Sequence, residues 1–144
     1  SRMSSWQAVY LDALLKQIDT QIASRRNALD FYFNDLSCYH EHLQFHREDR
    51  DTYGNAYLCV ITLLNLPADQ VVAELNKMGI GAARTYPETI CQQAPARKAL
   101  RFSGMKNSLA FCRSVINLPL FAHISESESQ QCAKQLIEIL KEKR

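Results

Sequence analysis

Cys38, His40, His42 and His46 lie two or four residues apart. On an extended chain, residues at that spacing point to the same side, so a strand here would present one thiol and three imidazoles together. Zinc takes such donors, but their spacing is not one of the recurring structural zinc patterns. Glu41, Arg47, Glu48, Asp49 and Arg50 surround them with charge. A solvated or interface strand is the expectation; no metal is assigned, and His40, His42 and His46 stand as the candidates were one bound. A second cluster is basic: Arg84, Arg97, Lys98, Arg101 and Lys106. Guanidinium and ammonium groups hold phosphates, yet taken alone these five read as the solvated face of a loop.

Nucleophilic chemistry has little support. A catalytic thiolate needs a neighbouring imidazole and an orienting acid. Cys59, Cys112 and Cys132 fall on apolar stripes, and Cys91 sits in a loop without a signature. Five widely spaced cysteines with no C-x-x-C pair read as free thiols of a reducing compartment. Glycine occurs four times, and neither phosphate-cradling motif, G-x-G-x-x-G or G-x-x-x-x-G-K-[ST], is present.

The elements that would position these residues follow from periodicity. Trp6, Val9, Tyr10, Ala13, Leu14, Ile18, Ile22, Leu29, Phe33 and Leu36 recur at steps of three or four, predicting one long amphipathic helix from Trp6 to Leu36. Some thirty residues at ~1.5 Å each would span roughly 45 Å, more than a compact domain of this size needs. Cys38 to Asp51 is expected as an edge strand, and Ala56 to Asn65, β-branched and aliphatic, as the central one. Pro67 and Asp69 open a helix that Gly79 ends. Ile80 to Tyr86 is expected as a further strand, closed by Pro87. A helix from Met105 to Val115, an extended piece from Asn117 to Phe121 and a final helix complete the chain. Ser125 and Glu128 form a capping box at the start of that last helix. The order predicts a two-layer α/β sandwich with a long first helix, a small, mostly antiparallel sheet and helices on one face.

Composition agrees with such a domain. The 144 residues, 47% hydrophobic and 22% charged, suit one globular domain, and a net charge of +2 is far from that of a dedicated nucleic-acid binder. The longest apolar run, Tyr57 to Leu64, is far short of the ~20 residues that cross a bilayer. The first residues lack a signal peptide's order. A soluble, cytoplasmic protein without nucleic-acid or membrane partners is expected.

Read end to end, these pieces resemble the C-terminal part of the DegT/DnrJ/EryC1/StrS family of sugar-nucleotide aminotransferases, fold-type I enzymes that use pyridoxal phosphate. Arg2-Met3-Ser4-Ser5-Trp6-Gln7-Ala8 is similar to the family's N-Y-R-M-S-x-x-Q-A segment, without the asparagine. Arg25-Arg26-Asn27-Ala28-Leu29 with Tyr32 and Leu36 resembles its R-R-x-x-A-x-x-Y-x-x-L helix. Gly79-Ile80-Gly81 through Thr85-Tyr86-Pro87 resembles its G-I to Y-P stretch, and Val115 to Ser125 its ending before the last helix.

The resemblance implies that residues 1–36 are a connecting helix from a large domain and 37–144 the small domain. It also implies that the lysine bonding the cofactor, the aspartate on the pyridine nitrogen and most phosphate-holding groups lie upstream, so that no catalytic residue belongs to this segment. By family position Arg2 would reach cofactor phosphate across a homodimer, and Tyr86 and Arg84 would look toward the sugar nucleotide. The implied reaction moves an amino group, typically from glutamate, onto a keto-sugar nucleotide for polysaccharide, lipopolysaccharide or deoxyamino-sugar synthesis, and the chain alone would be inactive. The competing expectation is a stand-alone α/β interaction module that docks through its long helix.

Overall fold

The computed structural model describes residues 2–47, 51–96 and 104–142. Its three-stranded antiparallel sheet has the order β1 (Leu43–Phe45), β2 (Cys59–Leu63), β3 (Val115–Leu118). β2 is therefore central, as its composition predicts. Leu43 pairs with Leu63 on one side, and Cys59 with Leu118 on the other. Alternation along β2 buries Cys59, Ile61 and Leu63 and leaves Val60 and Thr62 half-buried on the opposite face.

Against the buried face lie α2 (Ile18–Leu36), α3 (Ala68–Lys77) and α5 (Glu126–Glu142). Tyr32 and Leu36 of α2, Val71 and Leu75 of α3, and Leu136, Ile139 and Leu140 of α5 close one core with Ile61 and Ile116. α4 (Lys106–Ser114) runs directly into β3 and meets β2. On the Thr62 side, Phe111 of α4 stands edge-on to His46, with ring centres 5.8 Å apart, and His46 is hydrogen-bonded to the Thr62 hydroxyl at 2.7 Å. The two-layer α/β arrangement expected from the sequence is the one observed.

Helix ends follow local chemistry. Pro67 is the N-cap of α3, one residue ahead of the helix. At the other end Gly79 has a φ of 81°, and the N–H groups of Gly79 and Ile80 donate to the carbonyls of Asn76 and Leu75. These are the paired bonds of a Schellman motif, which needs a left-handed residue at the turn. At α5 the expected capping box is formed: the Glu128 N–H donates to the Ser125 hydroxyl at 3.2 Å, and the Glu128 carboxylate accepts from the Ser125 N–H at 2.8 Å.

The Ser125 hydroxyl, followed by its backbone N–H, holds the Glu128 carboxyl below the usual carboxylate range. A depressed pKa favours the folded state above the unfolded carboxyl's pKa, and that contribution is lost as pH falls through the folded value. Ser125→Ala should cost about 1 kcal/mol at neutral pH. In urea melts the gap to the wild type should narrow on acidification below the carboxylate range.

Three expectations need correction. The first helix is broken: α1 (Ser5–Leu15) ends before Ile18, and the Gln17 N–H bonds to Leu14 rather than one residue further back. α1 is also not amphipathic. Met3, Trp6, Val9, Tyr10, Leu11, Leu14 and Leu15 are all exposed, whereas α2 packs along α5.

The histidine segment is not one strand. Cys38 lies in a 3-10 turn (Ser37–Tyr39), His40 and His42 lie in the turn that follows, and among the described residues the strand is Leu43–Phe45 alone. Leaving α2 for the sheet takes that reversal, with the His42 N–H bonded to Tyr39. Finally, Ile80 to Tyr86 makes a single bridge, Ala83 to Asn117, in place of a strand. Among the described residues no helix is long and apolar enough to cross a membrane.

Candidate functional site

The segment after α3 explains why that strand stops. Beyond Ala83 the guanidinium of Arg84 pairs with Asp69 in the first turn of α3. It also donates to the Cys112 carbonyl near the end of α4, and at 3.5 Å to the carbonyl of Pro87. The Arg84 side chain is only 13% exposed, so the cation binds three parts of the fold from within.

Asn117 holds the same segment from the sheet side. Its backbone exchanges hydrogen bonds of 2.7 and 3.0 Å with Ala83, and its Oδ1 accepts from the Thr85 N–H at 2.8 Å. The Thr85–Tyr86 peptide is cis. Tyr86 itself is 70% exposed, so it does not bury its ring against Pro87.

Sequence reasoning passed over Asp69 as a partner and Asn117 altogether. Asn117 did carry a signal, as a lone carboxamide inside the apolar run Val115-Ile116-Asn117-Leu118. Arg2 is exposed just ahead of Ser4, the N-cap of α1.

The other candidates are not assembled into a site. Of the basic cluster, Arg97, Lys98 and Arg101 lie outside the described residues, Lys106 is exposed at the start of α4, and Arg84 is engaged with Asp69. Glu48, Asp49 and Arg50, which flank the histidines, also lie outside them. His46 is committed to Thr62 and Phe111, and no group of three metal-ligating side chains forms among the described residues.

A hollow of about 640 Å³ beside α2 is lined by Arg26, Asp30, Phe45, His46, Arg47 and Tyr57, among others. Its cations are already satisfied: Arg47 pairs with Asp30 at 2.5 Å, and Arg26 donates to the Gly54 carbonyl at 2.8 Å. A second hollow of about 470 Å³ includes Thr89, Ile90, Met105, Phe111 and Cys112. Arg84 reaches the Cys112 carbonyl at its wall.

The thiols are sorted by burial. Burial pushes the Cys59 thiol up to about 12, and burial likewise raises Cys132. Cys38 is exposed. Since the thiolate is the reacting form, a disulfide reagent at neutral pH should label Cys38 rapidly and reach Cys59 and Cys132 only after denaturant is added. Rapid native labelling of Cys59, read by peptide mass mapping, would contradict this packing.

Comparison with known proteins gives these residues a context. The model of the DegT/DnrJ/EryC1/StrS aminotransferase family matches residues 1–137. No curated protein sequence matches the chain. Among solved structures, S. venezuelae DesV in complex with a ketimine intermediate superposes with a TM-score of 0.86 at 19% identity, over 96% of this chain and 37% of that one. A DegT DnrJ EryC1 StrS aminotransferase from Brucella abortus gives 0.83 at 16%, over 96% and 36%. Helicobacter pylori PseC, an aminotransferase involved in the biosynthesis of pseudoaminic acid, gives 0.81 at 18%, over 89% and 35%.

At these identities the likeness shows the fold, and the chain spans little more than a third of each of those proteins. With a family model matching nearly from end to end, and with the expected small antiparallel sheet and helices in place, the chain belongs to the DegT/DnrJ/EryC1/StrS aminotransferase family.

Proposed function

We propose that this chain is the C-terminal portion of a pyridoxal-phosphate-dependent aminotransferase that moves an amino group from an amino acid, glutamate by the resemblance, onto a keto-sugar nucleotide. The product would serve polysaccharide, lipopolysaccharide or deoxyamino-sugar synthesis. In this reading residues 1–36 lead in from a large domain, and 37–144 form the small domain that closes over the substrate in a cytoplasmic homodimer. The observation that carries it is α1. Apart from Gln7, whose side chain is taken up in the Ser4 capping box, its apolar side chains cover roughly three quarters of the circumference, leaving a polar strip of Ser5, Asp12 and the C-cap Lys16. Lys16 and Asp12 pair on that strip at 2.7 Å. A helix apolar nearly all round belongs inside a larger body, yet Trp6 is 85% exposed.

Among the described residues no site for pyridoxal phosphate is assembled. Lys16, Lys77, Lys106, Lys134 and Lys141 are all exposed, and none lines a hollow described above. When bound, that cofactor acts as the electron sink of amino transfer. The reading gives this chain none of the covalent steps. Its contribution is binding: Arg2 toward a phosphate across the dimer, Tyr86 toward the sugar nucleotide, and Arg84 behind Tyr86.

The test is spectroscopic. The 144-residue chain mixed with pyridoxal phosphate and glutamate should show no lysine-dependent band that bleaches on adding glutamate. The same chain expressed with the coding sequence preceding it should show both the band and the bleaching. Bleaching by the short chain, or an upstream reading frame without a cofactor lysine, would defeat the reading; the second result would favour an interaction module docking through α1.

A further inference from the structure

The carboxamide of Asn117 is placed where the core has no need of one. Its neighbours Val115, Ile116 and Leu118 are buried apolar residues of β3, and Asn117 is itself only 4% exposed. Burying an amide costs free energy unless its groups are bonded. Its Oδ1 is bonded, to the Thr85 N–H, while its Nδ2 has no partner among the described residues. The guanidinium of Arg84 is nearly enclosed in the same way, with its Nε also unpartnered.

Both groups act on the same five residues. Asn117 fixes Ala83 through its backbone and Thr85 through its side chain, and Arg84 bonds across to Asp69, the Cys112 carbonyl and the Pro87 carbonyl. Residues 83–87 are thereby pinned at both ends, although they belong to neither a strand nor a helix. What they carry outward is the phenol of Tyr86, 70% exposed. Surface loops are ordinarily mobile. Here two buried polar side chains immobilise one, and what they present faces outward. Such an arrangement serves binding, because order established on folding is not lost again when a ligand arrives.

We propose that Asn117 and Arg84 are positioning residues for Tyr86, and that Tyr86 contacts a ligand lying outside this chain. The inference rests on the aminotransferase reading above, which makes that ligand the sugar nucleotide. A phenol suits it chemically: the hydroxyl both donates to and accepts from sugar hydroxyls and phosphate oxygens, and the ring stacks on a base or sugar face.

The test is a double-mutant cycle in the intact enzyme containing this segment, with a nucleoside-diphosphate keto-hexose as the varied substrate. Asn117→Leu keeps the side chain branched at Cγ and removes the acceptor for the Thr85 N–H. It should raise KM for the sugar nucleotide about tenfold while kcat stays within about twofold. In a Tyr86→Ala background the same change should move KM by less than about twofold, because the group being positioned is gone. Arg84→Met, which keeps the apolar stem, should give the same pattern and decides the matter alone if Asn117→Leu fails to fold.

Equal factors in both backgrounds would mean that Asn117 acts only on stability, and would overturn the proposal. An active enzyme indifferent to Tyr86→Ala would also overturn it and leave the aminotransferase reading standing. Absence of any glutamate-dependent amino transfer by the intact enzyme would instead remove the reading beneath it.

Discussion

Trp6→Glu combined with Tyr10→Lys should abolish self-association of the chain through α1 without lowering its melting temperature. The two side chains are 85% and 66% exposed, and no residue of α1 is buried, so neither change removes a core contact. The new pair stands at i and i+4 with the acid nearer the N-terminus, the order that supports a helix. What disappears is an apolar surface of a size that soluble monomers rarely leave uncovered.

Burying a large apolar side chain is worth ~2–3 kcal/mol. Two such losses therefore weaken association by about a thousandfold or more, at ~1.4 kcal/mol per factor of ten. Sedimentation of the 144-residue chain at several concentrations decides it. A wild-type chain that stays monomeric, or a double variant that associates as tightly as the wild type, would mean that α1 is not a docking element.

The second large effect lies at the opposite extreme of burial. Tyr32 is fully buried on α2, and its hydroxyl donates to the Pro119 carbonyl at 2.9 Å. Burial pushes its phenol strongly up, so the proton stays in place throughout the ordinary pH range. One side chain thus ties α2 to the exit of β3 within the core.

Tyr32→Ala should cost about 3–5 kcal/mol, the range for emptying a buried aromatic site. Tyr32→Phe, which loses only the hydrogen bond, should cost about 1 kcal/mol. Trp6→Ala should change stability by no more than about 0.5 kcal/mol, as a surface substitution does. Urea denaturation of the three variants compares them directly. If Trp6→Ala proved as costly as Tyr32→Ala, α1 would have to pack on the body of this chain.

Much of this was legible in the residues, and for local reasons. Gly79 ends α3 because a left-handed turn is required within one residue of the helix. Ser125 and Glu128 start α5 because their side chains reach the N–H groups four residues wide. The apolar run at Cys59–Leu63 marks the middle of the sheet because only a strand with neighbours on both sides buries it. Arg2 and Tyr86 were marked by family resemblance, and Tyr86 is the better defined of the two here, held from both sides at 83–87.

Other features depend on partners distant in the chain. Periodicity at three and four reads the same whether a helix is continuous or broken at Lys16 and Gln17, and it does not report how wide the apolar arc is. The alternation of Cys38, His40, His42 and His46 suggested a strand, but the reversal from α2 into β1 takes those residues for a turn. Ile80 to Tyr86 has a strand's composition and makes one bridge, because Arg84 finds Asp69 15 residues away and the Cys112 carbonyl 28 away.

The sequence by itself determined the fold class, the central strand, the helix caps and the family, since each rests on neighbouring side chains or on residue order. The tertiary structure alone decided which arginine is buried, which tyrosine is presented and which helix is left bare. Those outcomes depend on desolvation and pairing between segments far apart in the chain, and no local pattern encodes them.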